Sequence, residues 1–376
     1  MHIQAPQQTP NIATLLAEVV ELGGSDLAIK AGSRPAVRVH GKLRWLDSEV
    51  SALRFADTRA LLYEILPESR IADFEREHEA DFAYQINHPA PTRFRVNAFL
   101  QRGSVSIVFR LVPDHVRSLD ELGLPDVVRQ LATEERGIVL VTGSSGAGKS
   151  TTLAAMIEHI NTTMFKHVVT IEDPIEFVYH DKCSIIEQRE IGTDTTSFEG
   201  ALRRVLRQDP DVILIGEMRD EATVRTALAA AETGHLVLAT LHTLDAPESI
   251  NRILDFFPAA QHEQVRAMLA ATLKGIVSQR LVPRADGEGR VPIAEVMTMT
   301  GRVNDYIRNP AKDGRLTDVI AQGAYYGMQT FDQALYALVQ SGVVALADAN
   351  RFATQSHDLQ LRLATRNNGE PRASAI

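Results

Sequence analysis

The stretch Gly137–Thr152, GIVLVTGSSGAGKSTT, constrains what the rest of the chain can fold into. An apolar run (Ile138, Val139, Leu140, Val141) breaks into Gly143-Ser144-Ser145-Gly146-Ala147-Gly148-Lys149-Ser150-Thr151, and apolar residues return at Leu153, Met156, Ile157 and Ile160. That order is strand, loop, helix, because the returning residues recur at i, i+3, i+4 and i+7. The loop fits G-x-x-x-x-G-K-[ST], whose glycines let successive backbone N–H groups turn inward around phosphate oxygens at a helix N-terminus, where the dipole also favours negative charge. In this reading the segment from Gly143 to Thr151 lines a nucleotide's phosphates, Lys149 reaches the β- and γ-phosphates, and Ser150 holds Mg²⁺. The plainer alternative is a Gly-rich turn before an ordinary helix. The flanking strand and helix favour phosphate binding, since they are the context the motif requires.

A chain of 376 residues has room for two or three domains. Its 44% hydrophobic and 23% charged content is that of a globular protein, and no apolar run approaches the roughly 18 residues needed to cross a bilayer. The start, MHIQAPQQTPNI, lacks the basic and apolar regions of a signal peptide, so a cytoplasmic location without membrane insertion is expected. One cysteine, Cys183, excludes an internal disulfide and a CxxC-type zinc site, and is expected to pack in a strand with Ile185 and Ile186. A formal charge of −9 argues against a general nucleic-acid binder, which needs a basic surface.

Along the chain, residues 1–10 read as a loose tail. A helix is predicted from Asn11 to the Gly23-Gly24 stop, then a strand and hairpin over 25–45, a helix over 57–79 interrupted near Pro67, and strands at 81–84, 94–99 and 105–109. The segment 1–112 is thus expected to be a small α+β domain. Residues 113–136, with two prolines and a short helix at Val127–Leu131, read as an interdomain linker. From Gly137, β-branched runs at 168–171, 184–186, 212–215 and 236–241 alternate with amphipathic helices, the pattern of a mostly parallel sheet buried on both faces. Beyond Pro258 the residues Val265, Met268, Leu269, Thr272, Leu273, Ile276 and Val277 keep a helical period. This α/β domain is expected over 137–355, followed by a disordered tail at 356–376.

Four further stretches carry chemistry. Glu172, Asp173 and Glu176 follow an apolar strand, where carboxylates would face the crevice at the strand ends. In DPDVILIGEMRD, four apolar residues lead to Glu217, placed to orient the attacking water or to hold a metal's hydration shell; Gly216 stands where many such proteins carry an aspartate. Asp220 reads as the N-cap of the next helix. His235 and His242 bracket a buried strand, and for His242 a phosphate-sensing and a purely structural role are both open. Arg93, Arg95, Arg102 and Arg110 lie on or beside strands, either as solubilising charges or as forks that reach a neighbouring chain's γ-phosphate; Arg203 and Arg207 are a second such pair. The segment 314–332 is expected to pack between domains.

GSSGAGKSTT, TIEDPIEF, DPDVILIGEMRD, TGHLVLATLHT and GMQTFDQ, in this order across Ser25–Gln333, resemble the secretion ATPases of the type II/type IV pilus superfamily, on the pilus-retraction side. The resemblance implies a RecA-like P-loop NTPase core, an N-terminal PAS-like α+β domain, and a six-chain ring with ATP and Mg²⁺ between the domains. It also implies a membrane pilus-platform protein as partner, at the inner face of the cytoplasmic membrane. By the same likeness Lys149 and Ser150 serve phosphate and Mg²⁺, Glu176 stands near the attacking water, Glu217 is the acid of the second motif and touches the metal through water, and His242 contacts phosphate. Arg95, Arg102 and Arg110 are the arginines expected at the nucleotide. Assembly-type members carry a long extra N-terminal domain and commonly a four-cysteine zinc insert; about 110 residues before the linker and a single cysteine resemble the retraction type. The likeness departs at Gly301–Arg308, where only Asn304, Ile307 and Arg308 keep the AIRNLIR-like pattern. The competing functions are another ATPase of this superfamily, acting in pilus assembly or secretion, and a regulatory nucleotide-binding module without turnover, which the intact Glu176 and Glu217 argue against.

Overall fold

The computed structural model describes residues 11–46, 51–87, 90–310 and 315–367. The tail expected over 1–10 and the end of the chain from 368 lie outside them, as does Gly314. Two compact units result: Met1–His115 with Glu176–Val178, and Val116–Ile175 with Tyr179–Ile376.

In the first unit the order is α1 (Ile12–Glu21), β1 (Gly24–Lys30), β2 (Ala36–Val39), β3 (Lys42–Trp45), α2 (Phe55–Ile65), α3 (Glu68–Glu77), β4 (Glu79–Ile86), β5 (Thr92–Gln101) and β6 (Ser104–Leu111). Asn11 starts α1 by accepting the Ala13 N–H at 2.7 Å. The strands pair antiparallel in the order β3-β2-β1-β6-β5-β4. Leu15 and Leu16 of α1 and Leu61 and Leu62 of α2 share one core with Leu27, Phe94 and Phe109, the two rings meeting edge to face at 6.4 Å.

The second unit opens with α4 (Leu119–Leu122) and α5 (Asp126–Ala132). It continues through β7 (Gly137–Thr142), α6 (Lys149–Thr163), β8 (His167–Glu172), β9 (Ile185–Glu190), α7 (Phe198–Val205), β10 (Val212–Ile215), α8 (Glu221–Glu232), β11 (Leu236–Leu241), α9 (Ala246–Asp255) and α10 (His262–Thr272). The chain closes with β12 (Leu273–Pro283), β13 (Arg290–Thr298), α11 (Gly301–Arg308), α12 (Leu316–Ala321), α13 (Phe331–Gln340), α14 (Leu346–Phe352) and α15 (Ser356–Asn367). The sheet order is β13-β12-β7-β11-β10-β8-β9, parallel except for β13 at its edge. Side chains alternate across it: Ile138 and Leu140 pack with α7, α8, α9 and α10, while Val139 and Val141 pack with α4, α5 and α6. Burial on both faces is why these strands read as continuous apolar runs.

Several expectations differ from this architecture. The helical period across 265–277 holds only to Thr272; Leu273, Ile276 and Val277 belong to β12, which joins the sheet beside β7. A two-sided buried strand has no periodicity of its own, so its apolar residues fell into step with the helix before it. The expected linker is largely structured: Leu119, Val127, Val128, Leu131 and Ala132 are core residues of the second unit. The expected disordered tail is helical as far as Asn367, with Leu359 buried against α13 and α14 residues. Cys183 lies before β9 and is exposed, not packed. Arg203 and Arg207 do not share a helix face, because α7 ends at Val205; Arg203 instead pairs with Glu199 at 2.6 Å.

Candidate functional site

The phosphate loop lies between β7 and α6 in a conformation that excludes side chains where glycine stands. Gly143 has φ +146, and a Cβ there would come within 2.6 Å of the Gln279 carbonyl oxygen and 2.9 Å of Ala147 Cβ. Gly148, at φ +95, is the N-cap of α6, so the helix begins with Lys149 and Ser150. Two side-chain bridges from β12 brace the loop at both ends. Thr142 Oγ1 donates to Ser278 Oγ at 2.9 Å, and Gln279 Nε2 donates to Thr152 Oγ1 at 2.8 Å. Lys149 is buried, its Nζ donating to the carbonyls of Gly143 at 2.8 Å and Ser144 at 3.1 Å. The ammonium predicted to meet phosphates is thus held inside the loop by the loop's own carbonyls. A tight turn with its glycines at positive φ, a helix N-terminus and a buried ammonium together suit a polyphosphate.

The parallel register brings the other candidates to the same edge. Thr142 pairs with Leu241 and Ile215 with Ala239, so Gly143, Glu217 and His242 leave the ends of β7, β10 and β11 on one side of the sheet, with β11 between the other two. In an open parallel sheet the carboxyl ends of the strands are where ligands bind. Glu217 Oε2 lies 3.3 Å from His242 Nε2 and 2.9 Å from Arg219 Nη2, and Arg219 Nη1 reaches Asp173 Oδ2 at 3.6 Å. Partial burial alone would push the Glu217 carboxyl up. The Arg219 hydrogen bond, together with the charge and hydrogen bond of His242, outweighs it and leaves the pKa below the ordinary glutamate value. Glu217 is therefore an anion that accepts hydrogen bonds, suited to orienting water or a hydrated cation.

Gly216 owes its identity to packing. A Cβ there would meet the Ile171 carbonyl oxygen at 3.3 Å and Glu172 Cα at 3.4 Å, so an aspartate at this position would press on β8. Asp220 caps α8 by accepting the Thr223 N–H at 2.8 Å. His235 has the structural role, its Nδ1 lying 3.0 Å from the Ala230 carbonyl oxygen at the end of α8. Of the acidic stretch, Glu172 is buried and accepts from Thr170 Oγ1 at 2.7 Å and Gln188 Nε2 at 3.1 Å, which occupies it structurally. Glu176 is exposed and falls in the segment that groups with the first unit, so it and Glu217 belong to different units.

The arginines stay within the first unit. Arg95 and Arg110 are cross-strand partners on β5 and β6, both exposed, and Arg110 Nε donates to Asp26 Oδ1 at 2.8 Å. Asp26 offsets the repulsion of like charges placed opposite each other. Arg93 is half-buried at the start of β5. Arg102 sits in the turn joining β5 to β6, at φ +49, seven positions from Arg95 and therefore roughly 20 Å along the hairpin. Arg95 and Arg110 can act together; Arg102 cannot join them at one phosphate.

Sequence reasoning assigned nothing to Arg219, Ser278 or Gln279. The first was legible in principle, since a glutamate followed two positions later by an arginine allows a local ion pair. The other two come from β12, whose first apolar residues continue the helical period of α10.

A family model described as type II/IV secretion system protein matches residues 9–351. The chain is 43% identical over 343 residues to the type IV pilus retractation ATPase PilT of Pseudomonas aeruginosa, covering 91% of this chain and 98% of that protein. It is also 43% identical over 349 residues to the type IV pilus ATPase PilU of the same organism, covering 93% and 90%. A crystal structure of the pilus retraction motor PilT with bound ADP superposes with a TM-score of 0.86 at 42% identity, covering 94% of this chain and 99% of that one. Motif order, sheet topology and near end-to-end similarity agree, and the chain belongs to the type II/IV secretion system protein family.

Proposed function

We propose that this protein is an ATP-hydrolysing motor that powers retraction of a type IV pilus. The observation that carries the reading is the single sheet edge that presents the phosphate loop, Glu217 and His242, in a chain that resembles a named retraction ATPase over nearly the whole of both lengths. In this reading residues Gly143–Thr151 cradle the phosphates of ATP, Lys149 gives up its loop carbonyls for phosphate oxygens, and Ser150 is the protein's ligand for Mg²⁺. The bound cation would neutralise charge developing on the β- and γ-phosphate oxygens. Glu217, kept ionised by Arg219, would orient the attacking water and touch the cation only through water, and Glu176 is the further carboxylate available to that water. His242, next to Glu217, contacts the γ-phosphate. Arg95, Arg102 and Arg110 are the N-terminal arginines available to a nucleotide site.

The working form is a ring of six chains, each with the domains 1–112 and 137–355, docked on a pilus-platform protein at the cytoplasmic face of the inner membrane. Among the described residues no helix is long and apolar enough to cross a membrane, so attachment would be through that partner. The test has two arms. Purified protein should hydrolyse ATP, with turnover collapsing in Glu217→Gln, and a strain lacking the chain should extend pili that fail to retract. Normal retraction in that strain would remove the motor reading even if the ATPase activity stands.

A further inference from the structure

A line of buried polar side chains crosses three neighbouring strands of the second unit's sheet. Ser278 on β12 is the register partner of Thr142 on β7 and of Glu295 on β13, and all three are buried. Thr142, which bonds Ser278, is the residue immediately before the phosphate loop. At the other end Glu295 Oε1 accepts the Ala246 N–H at 3.0 Å. Ala246 is the first residue of α9, capped by Asp245, and only Thr243, Leu244 and Asp245 separate it from His242. That short turn is itself tied down, with Thr243 Oγ1 2.6 Å from Ser249 Oγ and Leu244 N–H donating to Glu248 Oε2 at 2.8 Å.

A carboxyl group buried on a strand is costly unless something specific offsets its burial. The sequence shows the anomaly plainly, as one acid inside the apolar run Val291–Met297. Resting on it, α9 gains an acceptor for an N–H that the helix cannot satisfy internally, and the dipole at the helix start favours the ionised form. We infer that Glu295 is a positioning residue: it seats the start of α9, and with it the His242–Asp245 turn, against the strands that carry the phosphate loop, and it seats them more firmly when ionised.

The groups facing Glu295 come from each element packed on β13. Burial raises its pKa most, the Ala246 N–H lowers it, Asp245 at the α9 cap raises it, Arg280 on β12 lowers it and Asp332 on α13 raises it, leaving it at about 7. The seat therefore changes its charge near neutrality, and the geometry of His242 beside Glu217 changes with it.

This inference rests on the ATPase reading and is tested on the full chain by turnover at saturating ATP between pH 6 and 8.5. In the parent protein, turnover should fall several-fold from pH 8 to pH 6, with KM for ATP moving less than about twofold. Glu295→Gln keeps an acceptor for Ala246 but cannot titrate, so its profile should lose that fall. Ala246→Pro replaces the donor N–H with a ring carbon facing the carboxylate and should move the fall to higher pH, because Glu295 loses a bond that favours its anion. A parent that hydrolyses ATP with the same pH profile as Glu295→Gln overturns the inference alone. Parent protein without hydrolysis at any pH overturns the ATPase reading, and this inference with it. Should Glu295→Gln fail to fold, Ala246→Pro decides: a curve lowered uniformly, with no displacement along the pH axis, marks a merely structural contact and sinks the proposal.

Discussion

Arg219 Nη2 and Glu217 Oε2 are 2.9 Å apart, and this contact is the main force holding the carboxyl of Glu217 ionised against its partial burial. An exposed arginine in such a pair adds only ~0–1 kcal/mol to stability, so the effect to expect is on charge and orientation. The folded pKa is depressed, so the pair's stabilisation is present above the unfolded carboxyl's pKa and is lost as pH falls through the lowered folded value. In Arg219→Ala, burial acts with only His242 to oppose it, and the acid limb of kcat/KM for ATP should move to higher pH. A pH–rate profile superimposable on the parent's would show that Arg219 does not set this charge.

Glu217→Gln keeps size and hydrogen-bonding capacity but loses the anion. Turnover should drop on the order of 10²–10³, the range expected for loss of a group that directs proton transfer or water, with ATP affinity nearly unchanged. Equal turnover would move the role to Glu176.

The phosphate loop offers two separable tests. Lys149→Ala removes a charge-assisted contact, so nucleotide affinity should fall about 10–100-fold, matching ~1.5–3 kcal/mol. Gly143→Ala drives a Cβ to 2.6 Å from the Gln279 carbonyl oxygen and to 2.9 Å from Ala147 Cβ, so the loop must shift even though no charge is lost. Calorimetric titration with ADP should show weakened binding in both variants, whereas only Gly143→Ala should also lower Tm.

Arginines from the first unit should act on rate more than on affinity, because a guanidinium that meets the γ-phosphate only in the closed site stabilises developing charge. Where such forks operate they contribute on the order of 10³ in turnover. The hairpin geometry sharpens the test. Arg95→Ala and Arg110→Ala should be non-additive when combined, as expected for neighbours, while Arg102→Ala combines additively with either. Intact oligomers with normal turnover in all three single variants would point the search towards Arg203 and Arg207.

The segment Gly301–Arg308 departs from the retraction-type pattern, yet the residues it keeps are among those that dock α11. Asn304 Nδ2 donates to the Ala270 carbonyl oxygen at 2.7 Å, Arg308 Nε donates to Asn304 Oδ1 at 2.9 Å, and Ile307 is buried. Asn304→Ala leaves a buried helix-end carbonyl without this donor and should cost ~1–3 kcal/mol. Thermal unfolding at fixed nucleotide concentration measures it, and an unchanged Tm would remove the docking role.

Elements whose residues obey one rule were legible in the sequence. The phosphate loop, the strands at 168–171, 212–215 and 236–241 and the Asp220 cap follow from local chemistry, and the structure places them where that chemistry requires. What escaped depends on partners far along the chain. β12 followed directly on a helix whose period its apolar residues continued, and with it went Ser278 and Gln279, whose bonds to Thr142 and Thr152 span 136 and 127 positions. Gly216 read as a missing ligand, although its reason is the backbone of β8 pressing against it. No spacing rule reveals a constraint imposed by another strand.

The helices at 119–132 alter what the chain between β6 and β7 can transmit. Leu119, Val128 and Leu131 are packed into the same apolar layer as Leu153 and Ile157 of α6. A close-packed layer of this kind moves as a body, since sliding one helix would open voids beneath it. A displacement that begins at the phosphate loop and passes along α6 is therefore carried back to residue 119, rather than being absorbed by loose chain ahead of Gly137. What reads in the sequence as a tether is, from Leu119 onward, part of the second unit's own packed body.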